Sequence, residues 1–159
     1  MVAFRDLLNS YEAARPCPGP FPDQCAIRIG TALADNGVSL ASFRGARCWN
    51  HDGPKHILRA EELASWIRLH PFAGRGETRT LDPADFQRQI DGKTGIIFFK
   101  DYWRRGAETA ANRSGDHIDL WNGNRLGGAW TRFSRGVQEF FGIVSDLNDS
   151  RQVLFWEVT

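Results

Sequence analysis

The sequence predicts an α+β fold in which N-terminal helices pack on an antiparallel sheet. Apolar residues recur at helical spacing through about the first ninety residues, whereas the second half contains short β-branched and aromatic runs and a hairpin dipeptide. Helices followed by such strands are typical of helices gathered against one sheet. The length of 159 residues predicts a single domain over residues 1–159.

The first half is predicted to contain three longer helices and one short helix. Each combines an apolar stripe with a polar or Pro/Gly boundary, and Asp23 and Asp82 stand where N-cap residues are expected. The predicted helices cover residues 4–14, 23–36, 59–69 and 82–90. The Gly/Arg/Thr segment 74–80 between the third and fourth helices is predicted to be a loop.

The second half is predicted to supply the strands. The predicted strands cover residues 95–100, 117–121, 124–130 and 153–158. Asn122-Gly123 is a favoured dipeptide for a two-residue hairpin turn. With those two residues at the tip, Trp121 pairs with Asn124, and residue 128 lies opposite His117.

Composition and charge argue against several classes of partner. Twenty basic and nineteen acidic residues give a formal net charge of +1, so no overall field attracts nucleic acid. No apolar stretch approaches the roughly 20 residues that span a bilayer, so membrane insertion is not predicted. The N-terminus lacks a secretory signal pattern, which predicts synthesis in the cytoplasm without a signal peptide.

Cys25 and His117 are the candidate nucleophile and acid–base pair. Cys25 is predicted in the first turn of a helix, where the macrodipole favours the thiolate. His117 is predicted on a later strand, where a rigid sheet can hold an imidazole against the thiol. A cysteine at a helix start and a histidine on a strand form the papain-like arrangement. The alternative interpretation of Cys25 is a buried structural cysteine.

The sequence leaves more than one candidate for the group that orients His117. Gly128, opposite His117 in the predicted register, has no side chain. Asp119 lies two residues along the same strand face and is the candidate orienting acid. A Gly128 carbonyl or a water molecule are alternatives, as is a solvated or hydrogen-bonded role for Asp119.

The remaining cysteines and histidines allow two further interpretations. Cys48, His51 and His56 are metal-capable side chains close in sequence, and Cys17 can supply a fourth. Alternatively, Cys17 and Cys48 form a disulfide in an oxidising compartment. No paired CxxC or HExxH motif accompanies them, so neither a metal nor a cofactor is predicted.

Four sequence blocks together carry a resemblance to a known family. They are DQCAIR at residues 23–28, GKTGIIFFK at 92–100, GDHIDLWNG at 115–123 and FWEV at 155–158. In this order, they resemble the fourth family of type VI secretion amidase effectors. The blocks span nearly the whole chain, and the histidine block is the most specific.

This resemblance implies a papain-like, NlpC-type cysteine peptidase that acts on peptidoglycan. It implies hydrolysis of the γ-D-glutamyl–meso-diaminopimelate amide in stem peptides, with Cys25 as nucleophile and His117 as its partner. The family usually carries an aspartate eleven residues after this histidine, where this chain has Gly128.

The resemblance also implies partners and a place of action. It implies an antibacterial toxin that is delivered by the type VI secretion machinery, acts in the periplasm of the target cell and is blocked by a cognate immunity protein. The competing interpretation is a non-enzymatic or catalytically decayed cell-wall-binding domain that uses its aromatic surface.

Overall fold

The computed structural model describes residues 1–15, 17–21, 23–104, 106–109, 111–127 and 147–159. In chain order, its elements are α1 (Phe4–Ala13), α2 (Cys25–Asp35), α3 (Ala60–Leu69), β1 (Arg75–Leu81), a 3-10 turn (Pro83–Asp85), α4 (Phe86–Gln89), β2 (Lys93–Trp103), β3 (Gly115–Gly123), β4 (Arg125–Leu126) and β5 (Gln152–Val158). The strands form an antiparallel sheet in the order β1-β5-β2-β3-β4. The α+β prediction is therefore confirmed.

Strand β2 is buried on both faces and separates two apolar layers. Ile96 and Phe98 join the layer that contains residues of α1, α2 and α3. Ile97 and Phe99 join a second layer, which contains Phe86 of α4. Burial on both faces explains why this strand is a continuous apolar run instead of an alternating one. Among helices in the described segments, none is both long and apolar enough to cross a membrane.

The turn of the hairpin between β3 and β4 lies one residue later than predicted, so the strand partners are shifted by two residues. Trp121 pairs with Leu126 and not with Asn124, so the turn predicted at Asn122-Gly123 is wrong. The tip is formed by Gly123 and Asn124, with Gly123 at a φ of 75°. Glycine adopts this left-handed conformation without steric cost, which suits it to the first position of a tight hairpin turn.

This shift changes the neighbour expected for His117. The count that placed residue 128 opposite His117 used the incorrect register and does not hold. Gly128 itself, with residues 128–130 of the predicted fourth strand, lies outside the described residues.

The segment predicted to be a loop at residues 74–80 is instead the edge strand β1. It pairs antiparallel with β5, with Leu81 opposite Val153 and an irregularity in register between Arg75 and Thr78. Its polar composition fits an edge position, where one side of the strand faces solvent. The Thr78 hydroxyl accepts a hydrogen bond of 2.8 Å from the indole of buried Trp156.

Gly95 lies where β2 is paired on both sides, and its position leaves no space for a side chain. A Cβ there would lie 2.1 Å from the Trp156 carbonyl oxygen. We expect Gly95→Ala to lower the free energy of unfolding by about 1–3 kcal/mol, measured by urea denaturation. Gly30→Ala is the matched control, because its Cβ would meet Ile57 at an ordinary 3.5 Å within α2. An unchanged stability for Gly95→Ala would contradict this close packing.

Candidate active site

Cys25 is the first residue of α2 and is half-buried, which confirms the prediction that it lies in the first helical turn. The predicted cap at Asp23 is wrong, because Gln24 occupies the N-cap position and no side chain caps the helix. The Gln24 side chain faces the preceding loop, where its Oε1 accepts from the Cys17 backbone N–H at 2.9 Å and its Nε2 donates to the Phe21 carbonyl. The start of α2 is thus held by loop contacts.

His117 and Asp119 form a buried pair on β3. The two residues share a strand face, and His117 Nε2 lies 3.3 Å from Asp119 Oδ2. The Asp119 side chain is fully buried, whereas 16% of the His117 side chain is exposed. The other carboxylate oxygen, Oδ1, accepts a hydrogen bond of 2.7 Å from the Leu120 backbone N–H. Asp119 is therefore held in place and directed at the imidazole.

The surroundings of His117 favour its protonated form. Burial lowers the pKa of His117, but hydrogen bonding to Asp119 and Cys25 and the charges of both groups outweigh it and raise this pKa to about 10. Because Nε2 is directed to Asp119, Nδ1 is the ring nitrogen left for the thiol. A protonated imidazole beside Cys25 stabilises a thiolate, which is the nucleophilic form of cysteine.

Tyr11 connects α1 to this pair and was missed as a functional residue by the sequence analysis. Its ring is buried. The pKa of the Tyr11 hydroxyl is raised, first by burial and then by the charge of Asp119 and hydrogen bonding to it. The hydroxyl therefore stays neutral beside the Asp119 carboxylate. A tyrosine on the apolar stripe of a helix is the available signal, because a buried phenol requires a polar partner.

We expect Tyr11→Phe to weaken the site without changing its shape. The substitution removes a polar group beside a buried carboxylate, which should lower the free energy of unfolding by about 1–3 kcal/mol. Any turnover at this site should slow by about tenfold, because Asp119 then holds His117 less firmly. Thermal unfolding and turnover of the same preparations test this. Unchanged stability and turnover would show that Tyr11 contributes only its ring.

A cleft of about 340 Å³ opens beside Cys25. Its walls come from three segments, namely the start of α2, the start of α3 with the residues just before it, and the entry to β3. The lining residues are Asp23, Cys25, Leu58, Arg59, Ala60, Glu61, Glu62, Ser114 and Asp116. The cleft opens to solvent beside the Cys25 side chain.

The other candidate residues also come together. Cys17, Cys48, His51 and His56 form one group whose ligand atoms all lie within 4.8 Å of one another. Cys17 and Cys48 carry free thiols, so the disulfide considered from the sequence is not formed in this structure.

Comparison with known proteins identifies a matching family. The model for type VI secretion system (T6SS) amidase effector protein 4, Tae4, matches residues 21–156. The matched range contains Cys25, His117 and Asp119. Among curated proteins, none matches the chain significantly.

Solved structures with a similar fold include effectors from two organisms. The type VI effector Tae4 from Enterobacter cloacae is 18% identical, with a TM-score of 0.63 and coverage of 100% of this chain and 98% of that chain. The Tae4 of a Tae4/Tai4 effector–immunity structure from Salmonella typhimurium is 17% identical, with a TM-score of 0.65 and coverage of 100% and 99%. At these identities the similarity concerns the fold alone.

Proposed function

Because the chain belongs to the family of type VI secretion system amidase effector protein 4, whose members are peptidoglycan amidases of the cysteine-hydrolase type, we propose that Cys25 is its nucleophile. His117 is its acid–base partner, and Asp119 orients the His117 ring. The observation that carries this assignment is the 3.3 Å contact of His117 Nε2 with the buried Asp119 carboxylate, and it is supported by the Cys25 thiol, which helps to raise the pKa of the same imidazole. The three residues come from a helix start and one strand, so the scaffold holds them rigidly.

The proposed bond is the amide between γ-D-glutamate and meso-diaminopimelate in peptidoglycan stem peptides. The Cys25 thiolate adds to the carbonyl carbon of D-glutamate, and the amide carbonyl becomes an oxyanion. As the tetrahedral intermediate collapses, the C–N bond breaks and His117 gives its proton to the leaving amine of diaminopimelate. The thioester left on Cys25 is hydrolysed by a water from which His117 removes a proton.

The start of α2 can stabilise the oxyanion. The N-terminal backbone N–H groups of a helix have no intrahelical partner, and in α2 no side chain caps them. The backbone N–H of Cys25 is thus the proposed oxyanion donor, aligned with the positive end of the helix dipole. The same helix start supplies both the nucleophile and this donor.

The place of action and the inhibitor follow from the same assignment. The chain is an effector of the type VI secretion system, and we place its action in the periplasm of the target cell, where its substrate lies. A cognate immunity protein is the proposed inhibitor, as in the Tae4–Tai4 complex from Enterobacter cloacae. The cleft beside Cys25 is the surface that such an inhibitor would cover.

Mass spectrometry of muropeptides tests the proposed reaction. Peptidoglycan containing meso-diaminopimelate is incubated with the protein and, in parallel, with Cys25→Ala. New fragments that end at D-glutamate and begin at diaminopimelate, present only with the wild-type protein, are the expected result. An unchanged profile with a folded wild-type protein that still sediments with peptidoglycan would favour the cell-wall-binding interpretation.

A further inference from the structure

Four side chains outside the proposed catalytic group converge on one point. Cys48 Sγ lies 3.0 Å from His51 Nε2 and 3.5 Å from His56 Nδ1, and these two ring nitrogens are 3.1 Å apart. The Cys17 thiol completes the group, and its sulfur lies within 4.8 Å of each of the other three ligand atoms. Around a zinc ion with Zn–S of about 2.3 Å and Zn–N of about 2.0–2.1 Å, tetrahedral ligand atoms lie about 3.3–3.8 Å apart. The observed spacings are close to those of such a tetrahedron.

The backbone holds two of the four ligands in register. Arg47 and Ile57 form an antiparallel bridge, and the adjacent Cys48 N–H donates to the His56 carbonyl at 3.0 Å. In return, the His56 N–H donates to Cys48 Sγ at 3.0 Å. Backbone donors to sulfur stabilise a thiolate, which is the form of cysteine that binds metals.

The orientation of His51 also fits a metal ligand. His51 Nδ1 lies 2.8 Å from the Asp52 carbonyl oxygen, which can only accept a hydrogen bond. Nδ1 is therefore the protonated nitrogen, and the lone pair of Nε2 faces Cys48 and His56. Metal-binding histidines almost always donate their other N–H to a carbonyl or carboxylate in this manner.

The burial of these four side chains and the types of their ligand atoms indicate which metal binds and what role it has. Cys17 and Cys48 are each only 3% exposed, and both histidines are half-buried. Two thiolates and two neutral imidazoles balance the charge of a divalent cation. A tetrahedral set of two sulfur and two nitrogen ligands is typical of zinc. Four protein ligands leave no coordination position for a substrate, so the site is structural.

We propose that Cys17, Cys48, His51 and His56 bind a structural zinc ion. This ion links the loop before α2 to the segment 48–56. Cys17 is in turn tied to Gln24, the residue before Cys25. The two linked segments continue into residues that line the active-site cleft, Asp23 and Cys25 after the first segment and Leu58 after the second. The zinc ion would therefore hold together two of the segments that line the cleft beside Cys25.

Metal analysis of the full chain, purified with reductant and without chelator, tests the site. We expect one zinc ion per chain by inductively coupled plasma mass spectrometry, and a cobalt-substituted sample with the visible absorption of tetrahedral thiolate–imidazole coordination. Cys17→Ser and His51→Asn should each lower the zinc content at least tenfold. Cys25→Ser and His70→Gln are the matched controls and should retain it, because neither residue belongs to the group.

Chelation of the wild-type protein keeps the test valid even where a ligand variant fails to fold. The thermal unfolding temperature should fall when zinc is removed under reducing conditions and recover when zinc is returned. Two results would overturn the proposal. One is a folded wild-type chain that binds neither zinc nor cobalt at equimolar metal. The other is a Cys17–Cys48 disulfide, found by peptide mapping of the protein as purified without reductant. Neither measurement depends on amidase activity. The zinc site and the proposed function can therefore be disproved independently of each other.

Discussion

Replacing Cys25 with alanine is expected to reduce hydrolysis of stem peptides by at least about 10⁴-fold. The variant lacks the thiolate proposed to form the acyl-enzyme, and no other described thiol lines the cleft, because Cys17 and Cys48 are buried in the proposed zinc site. The thermal unfolding temperature and the zinc content should stay close to those of the wild type. Turnover of a purified stem peptide, followed by chromatography, measures the effect.

The same variant reports on the charge state of the site. In the wild type, the imidazole of His117 should stay protonated through neutral pH and titrate near 10 by NMR. Cys25→Ala removes one of the two groups that raise this pKa, while burial continues to lower it, so the pKa of His117 should fall. Hydrolysis retained by a folded Cys25→Ala protein would disprove the nucleophile assignment, and an unchanged pKa of His117 would disprove the thiolate–imidazolium pairing.

Removing the Asp119 carboxylate is expected to have the next largest effect. Asp119→Ala leaves His117 Nε2 without its acceptor, and turnover should fall by about 10³–10⁴-fold. Asp119→Asn keeps an oxygen acceptor of similar size and removes only the charge, and cysteine–histidine sites also work with asparagine in this role, so its loss should be smaller than that of Asp119→Ala. The difference between the two variants separates orientation of the ring from stabilisation of its positive charge.

The titration of His117 distinguishes positioning from a merely structural role for Asp119. Asp119 is one of the groups that raise the pKa of His117, so Asp119→Asn should lower this pKa. The unfolding temperature and zinc content serve as controls for the fold. If Asp119→Asn keeps full turnover and leaves the titration of His117 unchanged, Asp119 is only a buried strand acid, and the orienting group lies elsewhere.

The positions of the proposed active-site pair could be predicted from the sequence because the signals are local. A cysteine at a predicted helix start and a histidine within an alternating strand segment place Cys25 and His117 on rigid elements. Asp119 could be considered for the same reason, since strand periodicity puts it on the face of His117. Tyr11 could not, because its contact with Asp119 joins α1 to β3 across more than a hundred residues.

The two errors in the predicted strands also arise from contacts between residues that are far apart in the sequence. The hairpin dipeptide Asn122-Gly123 marked the correct region, but the pairing of Trp121 with Leu126 is set by contacts of the sheet and not by the turn alone. Strand β1 was missed because an edge strand exposes one side and needs few apolar residues. In both cases, long-range strand pairing overrides local propensity.

The sequence by itself determined the α+β class, the placement of Cys25 and His117, and the family resemblance, because each depends on short segments whose residue types act locally. Only the tertiary structure decided that Asp119 reaches His117 and that Cys17 joins Cys48, His51 and His56. The distances among these atoms depend on how loops and strands far apart in the chain pack together. Local propensity carries no information about such packing, and the cleft and the proposed zinc site exist only once it has formed.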